Sequence, residues 1–401
     1  MVLGRWNVGV CESFLDNRTN AGAMCRSRWS GWGGGLVKAG LAVALMAGAA
    51  GTAVAESLDA DDAFLPSPVR SVSTVPTNGD VNPYGVAFVP DSFNTGAGPL
   101  KHGDILVSNF NNAKNLQGTG TTIVRISSSG PATTFFAGKA PLGLSTALGT
   151  LRAGFVVVGN SPTADGTSAT ATAGSLLVIN NRGKLIQTFK NAWIQGPWDM
   201  ALVDGGDWAK AFITNDLTGT VSRLDFKVSA GGLTLVSAKT IASGYVHRGD
   251  PVTLFVSPTG LVYNSRLDVL YVASTGDNAV FAVRHAAERT DDGGKGNLVY
   301  EDDVHLHGAL AMAQAPNGHL LVANNDGINP DAKQPSEIVE FTLEGQFVKQ
   351  LSVDPAQGGA FGLAVRTTED TAVFAAVDDN TATLLIWTLN EDLDTERGSG
   401  R

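Results

Sequence analysis

Apolar residues in this chain fall into short runs with period-two alternation, and most runs end on glycine, asparagine or a proline turn. The stretch from Ala315 to Asp326 shows the unit most plainly. A tight turn on Pro316-Asn317-Gly318 leads into a strand from His319 to Ala323, which breaks at Asn324. An apolar run from His307 to Ala313 precedes it, and runs from Glu337 to Gly345 and from Gln346 to Val353 follow it. This pattern predicts four short strands separated by turn chemistry.

The same order recurs along the chain. Inner strands are expected from Asn82 to Val89, Pro141 to Ala147, Pro197 to Val203, Pro251 to Val256, His307 to Ala313 and Phe361 to Val365. Each is followed by an apolar second strand and a small polar break. The sixth unit ends on the run from Thr383 to Leu389 with no fourth strand, and a lone alternating run from Val69 to Val75 precedes the first unit. Six four-stranded units spaced by about fifty residues predict an all-β, six-bladed β-propeller whose last blade is closed by the N-terminal strand. Closing it this way would remove the exposed edges of an open ring. A β-helix or a two-domain sandwich is the alternative.

The units resemble NHL-type repeats. The residues that carry the likeness are Pro83-Tyr-Gly-Val-Ala87, Leu270-Tyr-Val-Ala273, Pro316-Asn-Gly318, Leu321-Val-Ala-Asn324 and Phe361-Gly-Leu-Ala364. It runs from Val69 to about Asn390. It implies a propeller, and such propellers include scaffolds, ligand binders and hydrolases.

Composition adds the compartment. Residues 1–55 hold a basic, polar stretch from Arg26 to Lys38, an apolar stretch from Ala39 to Ala50, and Ala53-Val-Ala55 ahead of Glu56. That is the layout of a secretory signal peptide, with no twin arginine, and its apolar core is short for a membrane span. Residues 1–23 read as a spurious extension with Met24 as the start, residues 56–68 as a linker, 69–390 as the propeller and 391–401 as a disordered tail. The protein is expected in the periplasm or outside the cell. Both cysteines, Cys11 and Cys25, precede the expected cut, so the mature chain would hold neither a disulfide nor a thiolate. The whole chain carries a formal charge of -10; beyond residue 55, 23 basic and 36 acidic residues leave -13. An acidic body argues against nucleic acid and anionic membranes as partners. A monomer without membrane insertion after cleavage is expected.

In a propeller, residues before the inner strand and after the second strand meet at one mouth of the channel. After second strands stand Asn109, Asn160, Asn215, Ser274, Asn324 and, by looser alignment, Val377. Around the starts of inner strands stand Asn82, Gln195, Trp198, Asp199, His247, Asp250, His305 and His307. On one reading, the repeated asparagines bond local backbone and close turns. On the other, Asn82, Asn109, Asn160, Asn215, Asp250, Asn324, His247 and His307 line a ligand-binding funnel, with Asn160, Asn215, Asp250 and Asn324 as candidate ligands for Ca2+. His247, His305 and His307 form a further candidate, nitrogen-rich metal site. The funnel also resembles that of the senescence-marker-protein and gluconolactonase propellers, which implies a divalent ion activating a lactone. That family's Glu-Gly-Pro opening is here Asn82-Pro-Tyr-Gly85, and Gln195-Gly-Pro197 carries an amide. Long polar loops from Asn109 to Gly120, Asn160 to Gly174 and Asn324 to Pro335 crown the same mouth. The function expected is binding of a small polar molecule, a glycan or a protein at this funnel. A metal-dependent lactonase or related hydrolase is the alternative, and the sequence leaves the choice between binder and enzyme open.

Overall fold

The structure is a computed structural model, and it describes residues 70–368 and 371–390. The expected export segment, the linker, Val69 and the tail lie outside the described residues.

Every blade is an antiparallel sheet in which strands follow in chain order from the axis outward. Blade one comprises Val81–Phe88, Ile105–Asn111, Thr122–Ile126 and Thr133–Ala137. Blade two has Leu144–Leu151, Phe155–Asn160, Ser175–Asn180 and Leu185–Phe189. Blade three has Pro197–Asp204, Trp208–Asn215, Thr220–Ser229 and Gly232–Ala242. Blade four has Pro258–Asn264, Val269–Ser274, Ala279–Arg284 and Asn297–Glu301. Blade five has Ala309–Gln314, Leu320–Asn324, Glu337–Phe341 and Phe347–Ser352. Blade six has Ala360–Thr367, Thr371–Asp378 and Thr383–Asn390, and its outermost strand is Arg70–Ser73 from the other end of the chain. Arg70 pairs with Ile386 and Ser73 with Thr383, so the expected closure is present. Inner strands of neighbouring blades touch all the way round, including six against one. The protein is a six-bladed β-propeller.

One irregularity repeats in every blade and sets the axis. Pairing of inner with second strand slips between Pro83 and Val86, Leu144 and Leu148, Pro197 and Met200, Pro258 and Leu261, Ala309 and Met312, and Ala360 and Leu363. One extra residue on the inner strand, two in blade two, bends it at this point. The third residue of the slipped stretch is Gly85, Thr146, Asp199, Gly260, Ala311 and Gly362 in turn, and all of these but Gly260 line a narrow gap of about 70 Å³ on the axis. At Gly85, Gly260 and Gly362 the next blade's backbone comes too close to admit a side chain. A Cβ on Gly362 would sit 1.7 Å from the carbonyl oxygen of Tyr84. This close approach is the physical reason for glycine at these three places.

Blade four corrects the sequence reading. The run from Pro251 to Val256 is not its inner strand. Leu254–Val256 pairs instead with Arg248–Asp250 in a separate two-stranded hairpin, and the inner strand starts at Pro258. The bulge sequence Pro258-Thr-Gly260 can meet the neighbouring backbone, whereas Thr253-Leu-Phe has no small residue to do so. Between blades the core is apolar. Leu106, Ile123, Leu144, Val156 and Ile179, each fully buried, join blades one and two. Burial of each such side chain contributes about 1.5–3 kcal/mol.

Candidate functional site

Second strands end at the mouth where inner strands begin, and the residues paired just before the slip occupy equivalent places. Asn109 pairs with Pro83, Asn160 with Leu144, Asn215 with Pro197, Ser274 with Pro258, Asn324 with Ala309 and Asp378 with Ala360. In blade six the equivalent is therefore Asp378 rather than Val377.

The amides at these places turn inward to their own blades. Asn160 accepts the Gly143 N–H at 2.8 Å and donates to Ser175 Oγ at 3.1 Å. Asn215 accepts the Gln195 N–H at 2.8 Å and donates to Ser222 Oγ at 3.0 Å and Thr220 Oγ1 at 3.2 Å. Asn324 accepts the His307 N–H at 3.1 Å and donates to the His305 carbonyl at 2.7 Å. Asn109 donates to the Thr74 carbonyl, which ties the exit of the closing strand to blade one. In each case the amide clamps the segment that feeds an inner strand, which is the local bonding expected of asparagine.

Asp250 stands in the hairpin. Its Oδ1 accepts the N–H groups of Val252 and Thr253 at 2.9 and 3.0 Å, and its Oδ2 pairs with Arg248 at 3.0 Å. His247 is exposed, with Nδ1 3.1 Å from the Tyr245 carbonyl oxygen. His305 stacks on Phe347 at 3.8 Å between ring centres and pairs with Asp302. His307 is buried, with Nδ1 2.5 Å from the Asn329 carbonyl oxygen and Nε2 unpartnered. Among the described residues, no group of three or more His, Cys, Asp or Glu side chains is placed to hold a metal ion. The amide oxygens of Asn160, Asn215 and Asn324 already accept backbone N–H groups in three different blades, and both Asp250 oxygens are held within the hairpin. These four residues do not form a cage that fits a hard cation.

What the mouth does gather is a different set. A cleft of about 240 Å³ is lined by Asn82, Tyr84, Asn111, Asn115, Gln117, Val252, Thr253, Asn325, Gly358, Phe361 and Asp379. Of the eight residues expected to line a funnel, Asn82 alone is on its wall. Asn325 and Asp379 follow directly after the clamping positions, and alternation along a strand turns them to the opposite side. Asn82 has a left-handed backbone, φ 58°, which asparagine tolerates better than most residues. Its Oδ1 is buried without a partner among the described residues, and so is Oδ1 of Asn111, whose Nδ2 donates to Asn115 Oδ1 at 2.7 Å. Asp379 is half-buried. Burial, with the charge of Asp378 beside it, pushes its carboxyl up to about 7.

The floor is aromatic. Tyr84 stacks on Phe361 at 4.7 Å and 25°, and leans on Phe110 at 4.9 Å. Trp198 meets both Tyr84 and Phe110 edge-on. These rings stop the channel below the mouth, and Leu254 and Phe255 of the hairpin join the same cluster. The hairpin thus covers part of the mouth. Gln117 Nε2 donates to the Val252 carbonyl at 2.7 Å and holds one end, while the turn Ser168–Thr170 touches the strand Arg248–Asp250.

No protein-family model matches the chain, and a search of curated proteins finds no match. Solved structures give likenesses of shape. A virginiamycin B lyase from Staphylococcus aureus, an inactive variant with quinupristin, is 12% identical with a TM-score of 0.46, over 80% of this chain and 99% of that one. A protein described as a gluconolactonase is 13% identical with a TM-score of 0.48, over 81% and 94%. A Thermus thermophilus protein described as a glucose dehydrogenase is 14% identical with a TM-score of 0.46, over 80% and 99%. The propeller assignment rests on the strand pairing itself, and these likenesses carry no activity over to this chain.

Proposed function

We propose that this propeller is a binding module for a small polyhydroxylated molecule, held in the cleft at the hairpin-covered mouth. One observation carries the reading: two buried amide oxygens, Asn82 Oδ1 and Asn111 Oδ1, stand unpartnered on the wall of a cleft floored by Tyr84 and Phe361. A buried acceptor without a donor costs about 1–3 kcal/mol, so a ligand that supplies donors recovers it. Hydroxyl groups both donate and accept, which also suits Asn115, Gln117, Asn325 and Thr253. The flat faces of Tyr84 and Phe361 would meet the C–H face of a small ring. The volume lies just under the usual range of about 300–1,000 Å³ for small-molecule sites, which favours a ligand no larger than a single sugar. The secretory pattern in residues 39–55 supports export, so the ligand would be met outside the cytoplasm.

The test is saturation-transfer NMR of the protein against a panel of hexoses, pentoses and linear polyols, followed by calorimetry. Asn82→Gly keeps the backbone angle and removes the amide. It should weaken binding about tenfold, one hydrogen-bonded group's worth. Binding unchanged in Asn82→Gly would sink the reading.

A second reading, an enzyme, draws on Asp379. A carboxyl pushed up to about 7 in a cleft is suited to general acid–base work near neutral pH. Turnover of a lactone that vanishes in Asp379→Asn while sugar binding survives would favour it over the binding module.

A further inference from the structure

The opposite face carries a second cleft that the reading above leaves unused. It lies at the seam where blade six meets blade one, and its volume is about 610 Å³. Arg70 enters it from the closing strand, Lys101 and His102 from the loop after the first inner strand, Arg125 from blade one and Arg366 from blade six. In a chain of net charge -10, four arginine and lysine side chains share one cleft with a single lining carboxylate, Asp104.

The charges are unevenly satisfied. Asp104 is held by Arg125 at 2.5 Å, and Arg366 forms a two-pronged pair with the exposed Asp91, both contacts at 2.9 Å. Arg70 has no carboxylate among the described residues. Nη1 donates to the carbonyls of Ser127 and Ser128 at 2.9 and 2.8 Å, and Nη2 donates to that of Gly130 at 2.6 Å. Three carbonyls fix the guanidinium without neutralising it. They also leave Nε–H and one Nη2 hydrogen free of any partner among those residues. Lys101 makes no ion pair among the described residues and is exposed. Beneath these groups lie Phe88 and Val373, both half-buried, and Ile386.

We propose that this seam cleft binds a small amphipathic carboxylate, its charge on Arg70 and Lys101 and its apolar body against Phe88, Val373 and Ile386. A fixed guanidinium with unused donors matches a carboxylate fork. The apolar floor separates this ligand from inorganic anions, which would gain nothing there. The cleft needs both ends of the described chain, because Arg70 reaches it only when the closing strand is paired to blade six. The proposal stands independently of the one made for the opposite mouth.

Calorimetry of the full chain with decanoate, with 1-decanol as the neutral control, tests it. Decanoate should bind saturably and decanol about tenfold more weakly or not at all. Raising the salt from about 50 to about 500 mM should weaken decanoate several-fold. Arg70→Gln should lose about tenfold, and Lys101→Gln, whose side chain holds no structure together, about threefold. Should Arg70→Gln fail to fold, Lys101→Gln and the salt series decide. Equal binding of decanol, or decanoate binding that neither substitution nor salt changes, would overturn the proposal. So would a protein that captures a glutamate-rich peptide and ignores decanoate.

Discussion

Asn215 and Asn82 face the same mouth, and the proposed reading gives them opposite roles that a pair of substitutions separates. Asn215 is fully buried and makes three hydrogen bonds, two given to Thr220 and Ser222 and one taken from the Gln195 backbone. Asn215→Ala removes all three and leaves the buried Ser222 hydroxyl and the Gln195 N–H to find new partners. At about 1 kcal/mol for each net bond, with part of the desolvation cost added, the loss should be about 2–4 kcal/mol. Asn82 makes no side-chain hydrogen bond among the described residues, its Oδ1 is buried, and its backbone is left-handed. Asn82→Gly relieves the backbone by about 1 kcal/mol and removes the unpartnered oxygen, against about 0.5–1 kcal/mol of added chain entropy in the unfolded state. Its stability should therefore hold or rise slightly. The assay is urea unfolding read as the shift in midpoint at constant slope, valid where one transition serves the whole ring. Polyol binding is measured alongside. Asn215→Ala should be destabilised with its affinity kept, and Asn82→Gly should keep its stability and lose affinity. A cost below about 1 kcal/mol for Asn215→Ala, with more than about 2 kcal/mol for Asn82→Gly, would refute the division into clamps and ligand groups.

Three further outcomes follow from the same geometry. Val72, half-buried against the core at the closing strand, faces apolar groups of blades six and one; Val72→Asp should cost about 2–3 kcal/mol and promote association through the freed edge, seen in melting and light scattering. Stability should fall as pH rises from about 4 to about 7, because burial first of all raises Asp379 and Glu337 to about 7 and Asp199 to about 6. The folded state then holds protons that the unfolded state has released at its ordinary carboxyl values near 4, and the slope should flatten above pH 7. A melting temperature that climbs across this window would contradict these environments. Neither EDTA nor millimolar calcium should move the melting temperature, since the amides of Asn160, Asn215 and Asn324 are engaged within their blades. A rise of several degrees with calcium would show that an ion claims them.

The architecture was legible because it is written in local signals. Period-two runs recur at every blade, asparagines stand at the ends of four second strands, and the missing fourth strand of blade six matched the spare strand before blade one. The run Pro251 to Val256 misled because alternation alone does not distinguish an inner strand from a hairpin. The deciding contact, a bulge glycine against the next blade's backbone, lies fifty residues away in Leu310. The cleft proposed as the site is lined mostly by residues other than the repeating asparagines, for a related reason. Asn109, Asn160, Asn215 and Asn324 stand out because they repeat, yet a residue that repeats around a ring performs the same task in every blade, and here three of the four complete a clamp on the incoming chain. A ligand has no sixfold symmetry, so the groups that meet it need not repeat. Asn82, Asp379 and the hairpin at Arg248–Val256 each occur in one blade only, as does Arg70 at the seam. In a propeller read from sequence, the positions that break the repeat are therefore better candidates for function than those that keep it. Scanning substitutions at both classes would test this directly: the repeating amides should move stability, and the solitary groups should move binding.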